Sequence, residues 1–359
     1  NPDQPDFARG IQTGMAAMRC LHAEGFGDRG TPINETKLHF PIQKVADEIS
    51  RDLNPLSVAS IQDPAHFLQE PTPPETPPVH QAFWTILEDR YTDSLEEIAR
   101  QIVLGGIDKA LREVPIGRFG GLVTVDRREI EALHSIQGLI GEYCRSPQKK
   151  PLSIAVFGPP GSGKSFGVEQ VAKSVLGDIS VLTFNLSQFA DPEDIHAALH
   201  QVRDVGLSGK IPLVFWDEFD TTLNNQPLGW LRYLLAPMQD GAFQEGQLVH
   251  PIGRCIFVFA GGTSHSMDAF GAQMSDDERR AVKLPDFVSR LRGFLNVLGP
   301  NVQDSGPRDP FFILRRAILL RSILERNTPQ ILHNKAVRID LGILRAFLKT
   351  NNYKHGVRS

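Results

Sequence analysis

Residues 154–165 read Ile-Ala-Val-Phe-Gly-Pro-Pro-Gly-Ser-Gly-Lys-Ser, and the rest of the fold can be worked outward from them. Four apolar residues in a row suit a strand buried on both faces. Gly158, Pro159, Pro160, Gly161, Ser162 and Gly163 cannot continue it. Lys164, Ser165 and Phe166 then open a segment whose Val168, Val171 and Val175 fall near helical spacing. The stretch is thus strand, glycine-rich loop, helix.

The same strand signature recurs at 181–184, 213–216 and 256–259. Between the first two of these, Asp191-Pro192 starts a helix whose Ile195, Ala198, Leu199 and Val202 are spaced to face a sheet. Alternating strands and helices predict an α/β fold with a doubly wound parallel sheet. After Gly299-Pro300 the strands stop. Helices are expected from Asp309-Pro310 to about Arg326 and from Asp340 to Lys349, forming a small all-α domain.

Upstream, Asp126 followed by Glu129 reads as a capping-box-like helix start, with Ile130, Leu133, Ile136 and Ile140 as the buried stripe. Helical patterns also run from Ser94 and within 1–28, where Phe7, Ile11, Met15 and Met18 recur. The run PTPPETPP at 71–78 reads as a stiff spacer, with no clean strand or helix around it. These shifts suggest four regions. Residues 1–80 are the tail of a preceding domain plus a Pro-rich linker, and 81–118 a helical extension. Residues 119–303 are the α/β core, and 304–359 a helical domain cut short at its end. The chain opens at Asn1 without methionine and stops inside an apparent helix start, so a fragment of a longer protein is expected.

The bulk composition narrows the function classes. A net charge of −4 argues against a chain dominated by nucleic-acid binding. No apolar run approaches the length of a membrane span, and no signal segment opens the chain. Cys20, Cys144 and Cys255 are too scattered for a disulfide framework or zinc site, which suggests a reducing, cytoplasmic setting.

The chemistry sits in residues 158–165, which fill every fixed position of G-x-x-x-x-G-K-[ST]. Glycines let successive amides turn inward on phosphate oxygens, and the following helix N-terminus adds its own. Lys164 should reach the β- and γ-phosphates and Ser165 should offer its hydroxyl to Mg²⁺. A plain Gly/Pro turn is the alternative. Downstream, Leu213-Val214-Phe215-Trp216 ends in Asp217-Glu218. A carboxylate at a strand's C-terminal end can reach the same metal, a role for Asp217, and Glu218 is placed to polarise water as general base. Solvated acids at a strand end are the alternative. Asp220 reads as a solvated or helix-capping acid.

GPPGSGKS together with LVFWDEFD resembles the Walker A and Walker B motifs of the AAA+ ATPase superfamily, and the resemblance covers roughly 120–359. It implies binding of ATP with Mg²⁺ and hydrolysis, in a ring or head-to-tail homo-oligomer acting on an unknown macromolecule. CIFVFAGGTS at 255–264 resembles the sensor 1 strand, with Thr263 chosen over Ser264 because Gly261-Gly262 stands where a polar residue is usual. DFVSRLRG at 286–293 resembles the arginine-finger stretch, with Arg290 the first candidate and Arg292 the second, acting in trans on a neighbour's phosphate. YKHGVRS at 353–359 resembles the lid motif, which would make Arg358 sensor 2. Residues 238–259 look like the hairpin before sensor 1 in Clp- and torsin-like members, and 119–131 like the start of the adenine contacts.

Other signals read more plainly. Leu207-Ser208-Gly209 is a turn. His196 and His200 have metal-compatible spacing, but nothing nearby completes a site, so they read as surface or packing histidines. Arg279, Arg280, Lys283, Arg290 and Arg292 form a basic cluster, explained in part by a subunit interface. Arg315, Arg316, Arg321 and Arg326 read as the solvated face of a helix. Phe189 sits where a pore loop is often found, but the aromatic-apolar-Gly pattern is missing, so packing is expected. A nucleotide-dependent switch with slow turnover and, less favoured, a small-molecule kinase are the other readings.

Overall fold

A computed structural model describes residues 7–24, 41–50, 86–91, 94–112, 114–302, 309, 311–334 and 336–356. The chain divides into two compact units, 1–77 and 78–359. The spacer at 71–78 lies outside the described residues.

In the first unit, α1 (Phe7–Glu24) lies against α2 (Ile42–Ser50). Ile11, Met15 and Met18 of the expected stripe are exposed, whereas Ala17 is buried. The α2 helix was not anticipated, because its Ile42, Val45 and Ile49 give only two turns of periodic signal.

The second unit begins with α3 (Ile86–Tyr91), α4 (Leu95–Gly105) and α5 (Ile107–Ala110). A hairpin of β1 (Gly117–Phe119) and β2 (Leu122–Thr124) follows, turning at Gly120-Gly121. Asp126 caps α6 (Arg127–Arg145) by accepting from the Arg128 amide at 2.9 Å. Glu129 does not complete a capping box; its carboxylate takes the Thr124 hydroxyl at 2.6 Å.

The core then runs through β3 (Leu152–Phe157), α7 (Lys164–Leu176), β4 (Val181–Asn185), α8 (Glu193–Leu207), β5 (Leu213–Asp217) and α9 (Leu231–Asp240). An antiparallel hairpin, β6 (Ala242–Glu245) and β7 (Leu248–Pro251), precedes β8 (Ile256–Ala260). Two short helices, α10 (Asp276–Ala281) and α11 (Leu284–Val288), lead into β9 (Gly293–Asn296). The five strands form one parallel sheet in the order β4-β5-β8-β3-β9. The four expected strands are present. The fifth, β9, was hidden because GFLN is short and directly follows two arginines.

Two apolar layers sandwich this sheet. On one face Trp216, Phe257 and Phe259 pack with Leu199, Trp230 and Phe287. On the other, Ile154, Val156 and Val258 pack with α6 and α7 through Ile136, Ile140, Val168 and Val171. Alternate residues of the central strands β3, β5 and β8 serve opposite layers, so their uninterrupted apolar runs follow directly from burial on both sides, whereas the edge strand β4 is only partly covered and its Val181 is exposed.

The C-terminal helical part comprises α12 (Phe312–Asn327), the small hairpin β10 (Leu332–His333) and β11 (Ala336–Val337), and α13 (Leu341–Lys349). It shares a core with α4: Ile98, Ile102 and Val103 pack with Leu314, Ala317, Leu344 and Leu348. Among the described residues no helix is long and apolar enough to cross a membrane.

The arginines of α12 correct the expected solvated face. Arg326 is exposed, but Arg315, Arg316 and Arg321 are buried. Arg315 binds Asp309 through both guanidinium ends, at 2.9 and 2.5 Å, and donates to the Gly299 carbonyl at 2.8 Å. Arg316 donates to the carbonyls of Pro300, Leu348 and Thr350 and lies over the Phe312 and Tyr353 rings. Arg321 donates to the Val103 carbonyl at 2.9 Å, in the last turn of α4. Arg315 and Arg316 satisfy carbonyls left open where the chain leaves the sheet, and Arg316 and Arg321 also satisfy those at the C-terminal ends of α13 and α4. Periodicity cannot separate such an arginine from a solvated one.

Replacing Arg315 with methionine leaves the Asp309 carboxylate buried without its partner. Urea unfolding of Arg315→Met should show a loss of about 3–5 kcal/mol. Adding Asp309→Asn to that variant should recover part of the loss, and a lone Arg315→Met as stable as the parent would contradict this account of the junction.

Candidate active site

Register brings the expected site together. In the sheet Val156 pairs with Ala260, and Ala260 with Asp217, so the C-terminal ends of β3, β8 and β5 are level. Main-chain bonds carry this alignment past the strands: the Glu218 amide donates to Ala260 at 2.9 Å, Gly261 to Val156 at 2.9 Å, and Val297 to Phe157 at 2.8 Å. Crevices beyond the carboxyl ends of parallel strands are where such folds hold ligands.

The loop Gly158–Gly163 rises from β3 and delivers α7, with Gly163 left-handed just before Lys164. Lys164 Nζ donates to the carbonyls of Gly158 at 2.8 Å and Pro159 at 3.3 Å. Burial lowers its pKa, opposed by the nearby carboxylates of Asp220, Asp217 and Glu218. Ser165 follows in the first turn. The Ser162 hydroxyl is buried without a hydrogen-bond partner, inside the loop itself.

Asp217 ends β5 at partial burial and Glu218 is exposed. Glu218 has φ of 54°, a left-handed geometry that costs a non-glycine residue on the order of 1–3 kcal/mol. The chain turns sharply there, directly at the strand end.

Asp220 corrects the expectation of a solvated acid. It is buried and accepts from the amides of Gly262 at 2.7 Å, Thr263 at 2.9 Å and Ser264 at 3.1 Å. It also takes the Thr263 hydroxyl at 2.6 Å. One carboxylate therefore fixes the whole loop after β8. Space beside the glycines is tight: a Cβ on Gly262 would fall 3.1 Å from the Glu218 side chain, and one on Gly261 would fall 3.1 Å from Phe157. The spacing Asp217-x-x-Asp220 was visible in the sequence, but nothing in it showed the second acid turning inward.

The segment 353–356 sits against the phosphate loop. Asn301 clamps Tyr353 through both its amide, at 3.0 Å, and its carbonyl oxygen, at 2.8 Å. A Cβ on Gly161 would fall 2.2 Å from the His355 carbonyl, and one on Gly356 would fall 2.3 Å from the Gly161 carbonyl. Both glycines also have positive φ, so the close approach and the backbone conformation each require glycine. Arg358 lies outside the described residues.

Beside the loop is a cavity of about 350 Å³, lined by Gly121, Leu122, Leu133, Phe166, Ile318 and Arg326 among others. It is bounded by the β1–β2 turn, the start of α7 and α12. The Arg326 guanidinium lies 6.0 Å from the centre of the Phe166 ring. Glu129 also borders the cavity, and burial pushes its carboxyl pKa up. The size and mainly apolar lining suit a flat aromatic group.

The two finger candidates differ. Arg290 is held by the Asp286 carbonyl at 2.5 Å and by Gln239. Arg292 is exposed, and its side chain has no hydrogen bond or ion pair among the described residues; its amide donates to Ser153 at the start of β9. The rest of the basic cluster is balanced locally, with Arg279 near Asp276, Arg280 near Asp277 and Lys283 near Asp286. Phe189 packs edge-on against Trp230, as the packing expectation has it.

The family model described as "ATPase family associated with various cellular activities (AAA)" matches residues 154–269. A comparison with curated proteins finds no match. The matched stretch runs from β3 and the phosphate loop through Asp217-Glu218 to the loop held by Asp220, and the parallel sheet around it fits an ATPase domain of that family within this part of the chain.

Proposed function

We propose that this chain binds ATP with Mg²⁺ at the carboxyl edge of the sheet and hydrolyses it, using the cycle to change the conformation of a macromolecular partner. The convergence of the phosphate loop, Asp217-Glu218 and the Asp220-held loop at one level carries this reading. Loop amides and Lys164 grip the terminal phosphates, and the cavity beside Phe166 takes the base. Ser165 and Asp217 offer a hydroxyl and a carboxylate, the hard oxygen donors Mg²⁺ prefers. The ion would neutralise charge on the transferred phosphoryl group. Glu218 accepts the proton of the attacking water. Thr263 and, from the lid, Arg358 are assigned to sensing the γ-phosphate. The domain limits 119–303 for the core and 304–359 for the lid belong to the same reading, as does a cytoplasmic setting.

Lys164→Ala should weaken ATP binding about 10- to 100-fold by calorimetry, the scale of one charge-assisted contact. Glu218→Gln should bind ATP as the parent does while kcat falls about 10²- to 10⁴-fold. Normal turnover by Glu218→Gln would remove the base assignment.

The exposed, unengaged Arg292 supports a head-to-tail oligomer in which it completes a neighbour's site, and it is favoured over Arg290. Arg292→Ala should lower kcat by about 10³-fold or more. Mixing it with Lys164→Ala should restore activity, since one protein supplies the loop and the other the finger. If the mixture stays as inactive as its parts, the trans role is excluded.

The second reading, a nucleotide-dependent switch with slow turnover, draws on Thr263, whose hydroxyl is already committed to Asp220. Specific activity against protein concentration separates the two, because a motor with fingers in trans gains activity on assembly.

A further inference from the structure

The hairpin that precedes β8 docks on α8 through a cluster of histidines. Pairing sets Phe243 opposite His250, and Glu245 lies two residues beyond Phe243, so all three share one hairpin face. On α8, His196 and His200 are four residues apart and share a helix face. Phe243 stands at the centre, with ring centroids 5.6 Å from His196, 4.8 Å from His200 and 5.2 Å from His250. These contacts fit the packing expectation for His196 and His200, and the hairpin also brings a carboxylate and a third imidazole beside His200 that helix spacing alone does not reveal.

His200, Glu245 and His250 each present a ligand atom, all within 4.8 Å of one another. His200 Nε2 is 2.9 Å from Glu245 Oε2, and His250 Nε2 is 3.7 Å from the same oxygen. Donors around tetrahedral zinc, at bond lengths of about 2.0–2.2 Å, stand about 3.3 Å apart. The two distances to Glu245 bracket that value, and the two imidazole nitrogens, within 4.8 Å of each other, have to draw together by rotamer change to reach it. The Glu245 carboxyl is held below its ordinary pKa, chiefly by its hydrogen bond with His200. Two imidazoles and one carboxylate, without thiolate, are a donor set for zinc and its neighbours in the first transition row.

We propose that His200, Glu245 and His250 form a site for a zinc-class divalent ion that staples the β6–β7 hairpin to α8. Water takes the fourth position, since the His196 ring is stacked on Phe243. One neighbour opposes the ion. Arg203 Nη1 lies 3.3 Å from His250 Nδ1, on the other edge of the ring. A guanidinium only donates, so this contact puts the neutral ring's proton on Nε2, the atom that must bind metal. Ligation therefore requires Arg203 to release His250, and Arg203 already faces Asp204 at 3.7 Å. The site is thus reversible rather than permanent. Its occupancy stiffens the hairpin that runs into the strand carrying the Asp220-held loop.

The test is zinc calorimetry and cobalt absorption on the full chain, in excess Mg²⁺ so that the oxygen donors near the phosphate loop are occupied. One zinc per chain should bind, and cobalt should give d–d bands without the thiolate band that Cys20 or Cys144 would produce. His200→Gln and His250→Gln should each weaken binding at least about tenfold. Glu245→Gln, at a half-exposed position, repeats the test if either histidine variant folds poorly. Arg203→Gln should tighten zinc binding, because it removes a cation and provides an acceptor for Nδ1–H. ATP binding by the Glu245→Gln chain should be unchanged, which keeps this outcome separate from the proposed nucleotide chemistry. No saturable binding at micromolar zinc, unchanged affinity in the ligand variants, or a thiolate band would overturn the proposal.

Discussion

The level termination of β3, β5 and β8 is the constraint on which the rest depends. Parallel strands offer evenly spaced hydrogen bonds, so once Val156, Ala260 and Asp217 are in register their continuations must emerge side by side. Each continuation then has to leave the sheet without leaving its first amide unpaired. The bonds from Glu218 to Ala260 and from Gly261 to Val156 meet that requirement, and they hold the loops a few ångströms apart. The apolar layers on both faces fix the register, since a slip of one residue would turn Trp216 and Phe257 to the wrong side.

The crowding at this edge explains residues that look irregular one by one. Four donors from Gly262, Thr263 and Ser264 meet the Asp220 carboxylate, and Lys164 lies near enough to feel its charge. A buried carboxylate needs such partners, because desolvation without them is costly. Space is scarce for the same reason. A side chain at 261 would press on the buried Phe157 ring and one at 262 on the Glu218 side chain, each by a few tenths of an ångström. A loop held by Asp220 does not need a larger polar residue to shape it.

The sequence was most legible where one physical cause dominates. Burial on both faces wrote uninterrupted apolar runs at 154–157 and 213–216. The phosphate loop wrote glycines at fixed spacing, since only backbone can line it. Legibility failed where the partner is distant in the chain. Asp220 looks solvated until the loop 42 residues later folds onto it. Arg315 and Arg316 look solvated until the carbonyls of 299–300 and 348–350 are brought to them. Glu245 and His250 lie 45 and 50 residues from His200, so a helix-spacing argument sees only half of that cluster. The β9 strand failed for another reason: four residues carry too little pattern to be separated from the helix before them.

The buried arginines also bear on how the two parts of this unit can move. Arg321 joins α12 to the last turn of α4, and the shared core of Ile102, Val103, Leu314 and Leu344 ties them further. These helices therefore behave as one body. Arg315 and Arg316 bind the carbonyls of Gly299 and Pro300, where the chain leaves the sheet edge. The residues at 299–301 are therefore held to the helical part at the point where the chain leaves the sheet. Asn301 sits at this exit and holds Tyr353, and through it the segment lying on Gly161. The phosphate loop thus touches 355–356, and Tyr353 just before them is bound by Asn301 and lies under the Arg316 guanidinium, so one run of contacts joins the loop to the helical part.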